Sequence, residues 1–288
     1  MTRRPARIVD AHVHLWDPAR TDWYPYLSGR QQLDLGDVTG MARRFDVATY
    51  RTESAGWNVQ KLVNVAAAVG PHCIDETIYL DQRAAVDGHP DAIVGGVTPT
   101  ESAAEAVAQL DRQMNAPRFR GVRPMGRFDG PLPTAEVLGA LEERKLLFEL
   151  MVHPDQMQAA VRGLATFENL VVVVEHAGWP RSATPEEWAS WTEGIDALAG
   201  LSENVSCKLS GLAMPLGSMS VADLGPWIEY AIGAFGVGRC MFASNFPVDA
   251  MHGTFDELYS TYDRLTADLT TEARDKLFAG NAERVYRC

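Results

Sequence analysis

The stretch Leu170-Val-Val-Val-Val-Glu-His-Ala177 decides how the rest of the chain is read. Its run of valines leaves no polar face, so it reads as a strand covered on both sides, which is the mark of parallel sheet. It ends on His176. Outward from it, similar runs recur at Arg7–Trp16, Val59–Val69, Ala92–Thr98, Phe119–Met125 and Leu146–His153 on one side, and at Val205–Gly211 and Cys240–Val248 on the other. Segments of helical periodicity lie between them: Ile74–Gly88, Glu101–Met114, Thr134–Arg144, Pro154–Phe167, Thr184–Leu201, Val221–Phe235 and Thr254–Leu265, with Thr271–Tyr286 at the end. Thr184-Pro185-Glu186-Glu187 has the order of a cap, a proline at the first helical position and acids in the first turn. Eight strand–helix alternations predict a closed (β/α)8 TIM barrel formed by residues 1–288 as a single domain. An open doubly wound sheet would carry a glycine-rich phosphate loop after its first strand, and the sequence has none there. The stretch Asp17–Asp37 is long for a strand–helix connection and reads as a functional loop.

Composition narrows the function. The chain has 288 residues, of which 46% are hydrophobic, too many for disorder. Against 38 acidic residues stand 26 basic ones, a formal net charge of −12. That balance argues against nucleic acid and against an anionic membrane surface. The cysteines, Cys73, Cys207, Cys240 and Cys288, are too scattered for a zinc ribbon or disulfide framework. No apolar run is long enough for a membrane span or a signal peptide, so a cytoplasmic protein is expected. The oligomeric state is left open, a homo-oligomer included.

On such a barrel the chemistry sits where strands end. His12 and His14 end the first strand, Arg123 lies on the fourth, His153 ends the fifth and His176 the sixth, Lys208 and Ser210 lie on the seventh, and Ser244 and Asn245 on the eighth. Two residues apart on a strand, His12 and His14 point to one face, where imidazoles can chelate a metal or grip an oxyanion. Each alone reads equally well as a hydrogen-bonded core histidine. Arg123 has the fork geometry of a carboxylate anchor, although a lone Arg is more often a structural ion-pair partner. Lys208, flanked by apolar residues, is expected to hold a substrate anion or to pair with a carboxylate such as Glu149. Trp16, Trp23, Tyr24, Tyr26 and Trp179 offer a pocket wall or simple packing. Substrate-contacting roles are assigned to Arg123, Lys208, Trp16, Tyr24 and Trp179.

These residues fall within ordered motifs: DAHVHLWDP, WYPYL, GVRP, VHP, EHAGWP, KLSG, SNFPVD and LFAGNAERVY. Together they resemble the amidohydrolase-2 branch of the amidohydrolase superfamily, and within it the sugar-acid lactone and 2-pyrone-4,6-dicarboxylate lactone hydrolases. The resemblance covers nearly the whole chain. It implies a (β/α)8 barrel, a metal-type cluster of His12, His14 and His176, and substrate contacts from His153 and Arg123. It implies one divalent ion, zinc foremost, with which several members dispense, and no organic cofactor. Activated water would attack the ring carbonyl of an anionic small molecule, with His and Arg stabilising the oxyanion.

One position departs from the family. Where the branch carries Ser-Asp-Trp-Pro with Asp as general base and metal contact, this chain reads Ser244-Asn245-Phe246-Pro247. An amide cannot take a proton from water at neutral pH. The base is then His153, Glu149 or Asp249, or Asn245 binds a different substrate, or hydrolysis is lost. A lactone hydrolase is the first expectation. A metal-dependent decarboxylase of the same superfamily and a non-catalytic ligand-binding relative are the alternatives.

Overall fold

A computed structural model describes residues 4–28, 32–33, 36–37, 39–100, 102–126 and 130–288. Part of the long stretch at Asp17–Asp37 therefore lies outside the described residues. Eight parallel strands lie in chain order: β1 Ile8–Val13, β2 Val59–Val65, β3 Ala92–Val97, β4 Phe119–Pro124, β5 Leu147–Leu150, β6 Val172–Val174, β7 Val205–Leu209 and β8 Cys240–Phe242. The ends meet beyond β8. Val13 bridges Phe246 in parallel, His14 N donates to Phe246 O and Asn245 N donates to His12 O, each at 2.9 Å. The barrel predicted from the strand count is therefore present, and its closing seam runs between two stretches that carry site residues.

The outer helices are α1 Val47–Glu53, α2 His72–Asp87, α3 Ala103–Gln113, α4 Ala135–Glu143, α5 Pro154–Leu164, α6 Pro185–Leu201, a short α7 Ala213–Leu216, α8 Val221–Phe235 and α9 Phe255–Leu265. The Thr184 hydroxyl caps α6 by accepting from Glu187 N, with Pro185 in the first turn, as its sequence predicted. Helix α1 went unread. It spans only seven residues, and its clearest signal is the capping carboxylate of Asp46, which accepts from Thr49 N at 2.9 Å.

The segment read as one terminal helix, Thr271–Tyr286, is α10 Thr271–Asp275, a wider π turn at Lys276–Gly280 and α11 Asn281–Tyr286. Leu277, Phe278 and Ala279 are consecutive and all buried, more than the inward stripe of one regular helix accommodates. Among the described residues no helix is long and apolar enough to cross a membrane.

Two features of the barrel place the chemistry. First, β1 is bulged. Asp10 pairs with Leu62 and Val13 with Asn64, so β1 uses one residue more than β2 over that interval. The bulge resets the alternation. Asp10 turns outward, accepting from Tyr50 Oη at 2.7 Å, whereas His12 and His14 turn inward together. Second, the lower lumen is filled by Ala11, Val65, Val94, Leu147, Val173 and Met241, with Ala282, Val285 and Tyr286 of α11 packed against them. Polar side chains are then confined to the upper lumen, where the strands end.

Candidate active site

The deepest polar layer is an ionic network. Lys208 Nζ on β7 donates to both oxygens of Glu149 on β5, at 2.7 and 2.6 Å, and neither residue is exposed. Tyr286 Oη donates to Glu149 Oε1 at 2.6 Å. Beside it, Glu175 is fully buried and takes a bond from Arg123 Nη1 at 3.4 Å. Burial pushes the Glu149 carboxyl up, and the neighbouring Glu175 adds to the rise against the pull of Lys208. Burial pushes Glu175 up as well, but Arg123 and the contact with Glu149 hold it below the usual carboxylate range. The two cations and two carboxylates are formally balanced. The sequence offered both Arg123 and Lys208 as holders of a substrate anion; Lys208 is spent on Glu149, whereas Arg123 reaches the cavity while bonded to Glu175 through Nη1.

The histidines sit on this network. Lys208 Nζ lies 3.3 Å from His12 Nδ1. An ammonium only donates, so His12 accepts there and carries its proton on Nε2. That Nε2 lies 3.2 Å from His14 Nε2. His14 gives its Nδ1 proton to the carbonyl of Val65 at 2.8 Å, which leaves its Nε2 lone pair to accept from His12. One chain of donors thus runs from Lys208 through His12 to His14. His176 has its Nδ1 2.9 Å from Ser210 Oγ and its ring centroid 4.7 Å from that of His12.

Burial keeps all three imidazoles neutral. The His12 value lies well below that of a free imidazole, with Lys208 assisting; His14 falls to about 3, with Arg123 assisting; His176 falls to about 4, where Glu175 resists and Lys208 assists.

His176 is placed by an unusual turn. After β6 the backbone is left-handed at His176 (φ 52°), Ala177 (φ 51°), Gly178 (φ 71°) and Trp179 (φ 32°). Strained backbone of this kind is costly for side chains with a Cβ, and it collects at functional sites. Room for the His176 ring comes from Gly211, at φ +66°, where a Cβ would sit 2.5 Å from the imidazole. Asn245 is also left-handed, at φ 56°, a conformation that Asn tolerates better than most residues. Its Nδ2 donates to Asp249 Oδ1 at 2.9 Å. Asp249 is fully buried, which pushes its carboxyl up to about 7 against the hydrogen bonds from Asn245 and the Gly211 backbone. Asp249 Oδ2 has no partner among the described residues.

Above the histidines opens a cavity of about 210 Å³. Its polar lining comes from His14, His176, Arg123 and Asn245, and its walls include Trp16, Tyr26, Trp179, Met125, Met151 and Met214. Trp16 stacks on His14, with centroids 5.6 Å apart and an interplanar angle of 5°.

Among the sequence-assigned residues, the structure gathers His14, His176, Asn245, Arg123, Trp16 and Trp179 at this cavity, with His12 directly beneath. His153 stands beside it. It precedes α5 and has its Nδ1 2.9 Å from Trp179 O. Lys208 lies below the cavity. Tyr24 is elsewhere, its hydroxyl donating to the buried Glu76 at 2.7 Å. Tyr24 lines a larger cavity of about 290 Å³, between α1 and α2, which holds none of the clustered histidines. Glu175, Tyr286 and the methionines were not assigned from sequence. For Glu175 a signal existed, since it directly precedes His176 at the same strand end.

The resemblance grouped His12, His14 and His176 as metal ligands. The ligand atoms that converge within 4.8 Å of one another belong to His12, Glu149 and Glu175. Glu149 is committed to Lys208 and Tyr286, but Glu175 Oε1 is buried without a partner among the described residues. Neutral imidazoles beside a deprotonated carboxylate with a free oxygen form a donor set that suits a divalent ion.

The family model described as amidohydrolase matches residues 9–288. The chain belongs to the amidohydrolase family. It is therefore an enzyme of hydrolase type on a TIM barrel. It is 30% identical over 296 residues to an uncharacterized protein of Sinorhizobium fredii, covering 97% of this chain and 98% of the relative. It is 29% identical over 298 residues to the L-fucono-1,5-lactonase of Burkholderia ambifaria, covering 97% and 95%. A crystal structure of an amidohydrolase from Burkholderia multivorans, with bound zinc, superposes with a TM-score of 0.79 at 22% identity over 98% of this chain and 99% of the other. That likeness shows the fold.

Proposed function

We propose that this amidohydrolase opens a lactone that carries a carboxylate. The observation behind the reading is Arg123. Among the described residues that line the cavity it is the one with a permanent charge, and its Nε has no partner. A guanidinium held this way, over neutral imidazoles, suits an anionic substrate better than a neutral or cationic one. The lactonase relative supports the reaction class.

In this reading Arg123 grips the substrate carboxylate and sets the ring carbonyl over His14 and His176. Asp249 accepts the amide N–H of Asn245, which leaves Asn245 Oδ1 to accept from the attacking water. The water oxygen bonds to the carbonyl carbon while His176 takes its proton, and Arg123 steadies the oxyanion. The tetrahedral adduct then expels the ring oxygen, which takes the proton back from His176. The products are a hydroxyl and a carboxylic acid, which ionises to a carboxylate and releases one proton to solvent. A divalent ion, zinc foremost, would be held by His14 and Glu175, with His12 joining on loss of its Nε2 proton, and would supply Lewis-acid polarisation of an oxygen. Lys208 and Glu149 position His12 and do not meet substrate.

A pH-stat assay over a panel of carboxylated lactones tests the reading. Acid release is expected, with kcat/KM falling about 10²-fold or more in Arg123→Met. Absence of acid release across the panel would overturn it.

A further inference from the structure

Most of the side chains that line the cavity are apolar. Among the described residues its polar lining is small: the rings of His14 and His176, the Arg123 guanidinium, whose Nη1 already bonds Glu175, and Asn245. Two of the aromatic polar tips in the lining are already spent. Trp16 Nε1 donates to Arg43 O at 3.1 Å, and Tyr26 Oη donates to Ala67 O at 2.8 Å. The rest of the lining is largely apolar: Met41, Met125, Met151 and Met214, with Val69 and Val248, and Met214 Sδ lies 3.9 Å from Asn245 Nδ2. A thioether is only a weak acceptor and donates nothing. Met151 is 37% exposed, an apolar side chain left at the opening for a ligand to cover.

We infer that the substrate has an apolar body: a carboxylated lactone bearing alkyl or alkene carbon, and not one with a hydroxyl on each ring carbon. This rests on the lactonase reading and sharpens it. It also separates this chain from its L-fucono-1,5-lactonase relative, whose substrate is a hydroxylated sugar-acid lactone. A ring hydroxyl driven against the methionine wall loses its water without gaining a partner, and each such loss costs about tenfold or more in binding. Two of them give a preference of about 10²-fold for the apolar lactone.

The test has two arms on the intact chain. The first measures kcat/KM for a muconolactone and an aldonolactone. The apolar lactone is expected to lead by about 10²-fold, and Met151→Gln and Met125→Gln are each expected to narrow that lead. The second measures calorimetric binding of the two ring-opened acids, which needs no turnover. There the unsaturated acid is expected to bind at least tenfold tighter than the aldonate. If lactones open but the hydroxylated one is equal or preferred, the inference falls and the lactonase reading stands. If neither opens while the unsaturated acid still binds tighter, the lactonase reading falls and the apolar specificity of the cavity stands. If neither opens and the aldonate binds equally or better, or neither acid binds, both fall.

Discussion

Asn245→Asp would restore the carboxylate that the family resemblance places after β8, and the structure indicates what that restoration costs. Asn245 Nδ2 lies 2.9 Å from Asp249 Oδ1, and Asp249 is fully buried with its carboxyl raised to about 7. The substitution replaces a donor with a second acceptor. Two full charges at that 2.9 Å separation would repel by about 6 kcal/mol at an effective dielectric of 20. That is equivalent to about four pKa units, so the pair keeps one shared proton at neutral pH.

The unfolded chain releases that proton near the ordinary Asp value of about 3.9. A group whose pKa is raised on folding contributes its full stability below the unfolded pKa and loses it as pH rises through the folded one. In the wild type the loss due to Asp249 runs from about pH 4 and is nearly complete slightly above its folded value of about 7. In the variant it continues upward until the shared proton leaves. The stability gap between the two proteins should therefore widen above pH 7 by up to about 1.4 kcal/mol per pH unit, or roughly 2 kcal/mol between pH 7 and pH 8.5. Urea unfolding followed by tryptophan fluorescence from pH 6 to 9 measures it. A gap that stays flat across that range would refute the claim that the two side chains share one buried site. Lactone hydrolysis at neutral pH should fall in this variant, because the shared proton removes the new carboxylate as a free base and Asn245 Oδ1 is gone.

Other perturbations separate the roles of neighbouring groups. Lys208→Met leaves Glu149 buried with Tyr286 alone and should cost about 3–5 kcal/mol in urea unfolding, most of it recovered by the double change with Glu149→Met; unchanged stability with collapsed kcat/KM would instead make Lys208 a substrate group. Gly211→Ala sets a Cβ 2.5 Å from the His176 ring on left-handed backbone, so kcat should drop about tenfold or more through displacement of the proton carrier, and an unaltered rate would remove His176 from the proton path. Chelator-treated protein should take up about one equivalent of zinc by calorimetry, and Glu175→Gln should weaken the uptake about tenfold or more; equal uptake by both proteins would take Glu175 out of the ligand set.

Much of the barrel is legible in sequence because each strand is its own apolar run. Leu170–Ala177 marks itself as buried without reference to any neighbour, and so do most of the other seven runs. Strand ends follow from strands, so His14, His176, Arg123 and Asn245 could be placed at one mouth before any coordinates. The bulge in β1 could not be found in this way, because it exists only as a mismatch of register between Asp10–Val13 and Leu62–Asn64. The alternation rule brings His12 and His14 to one face, but it does not decide whether that face is the lumen. The apolar wall is hidden for a similar reason: Met125, Met151 and Met214 follow three different strands, and nothing local distinguishes them from core methionines.

Lys208 shows how the two levels combine. A lysine in Val205-Ser-Cys-Lys-Leu209 has to be paired, and the chain offered both a substrate anion and Glu149 as partners. The choice is made by Tyr286, 137 residues from Glu149, whose hydroxyl binds the same carboxylate from beneath the barrel. With Glu149 fixed from below, Lys208 donates to it and to His12, and that bond decides which nitrogen of His12 carries the proton. The tautomer at the floor of the site is thereby set by the C-terminal helix. Tyr286→Phe should thus loosen the Lys208–Glu149–His12 chain without touching the cavity wall. Its expected signature is a shift in the pH profile of kcat, with the preference for apolar over hydroxylated lactones unchanged. A variant that changes that preference while leaving the pH profile intact would contradict this division of labour between floor and wall.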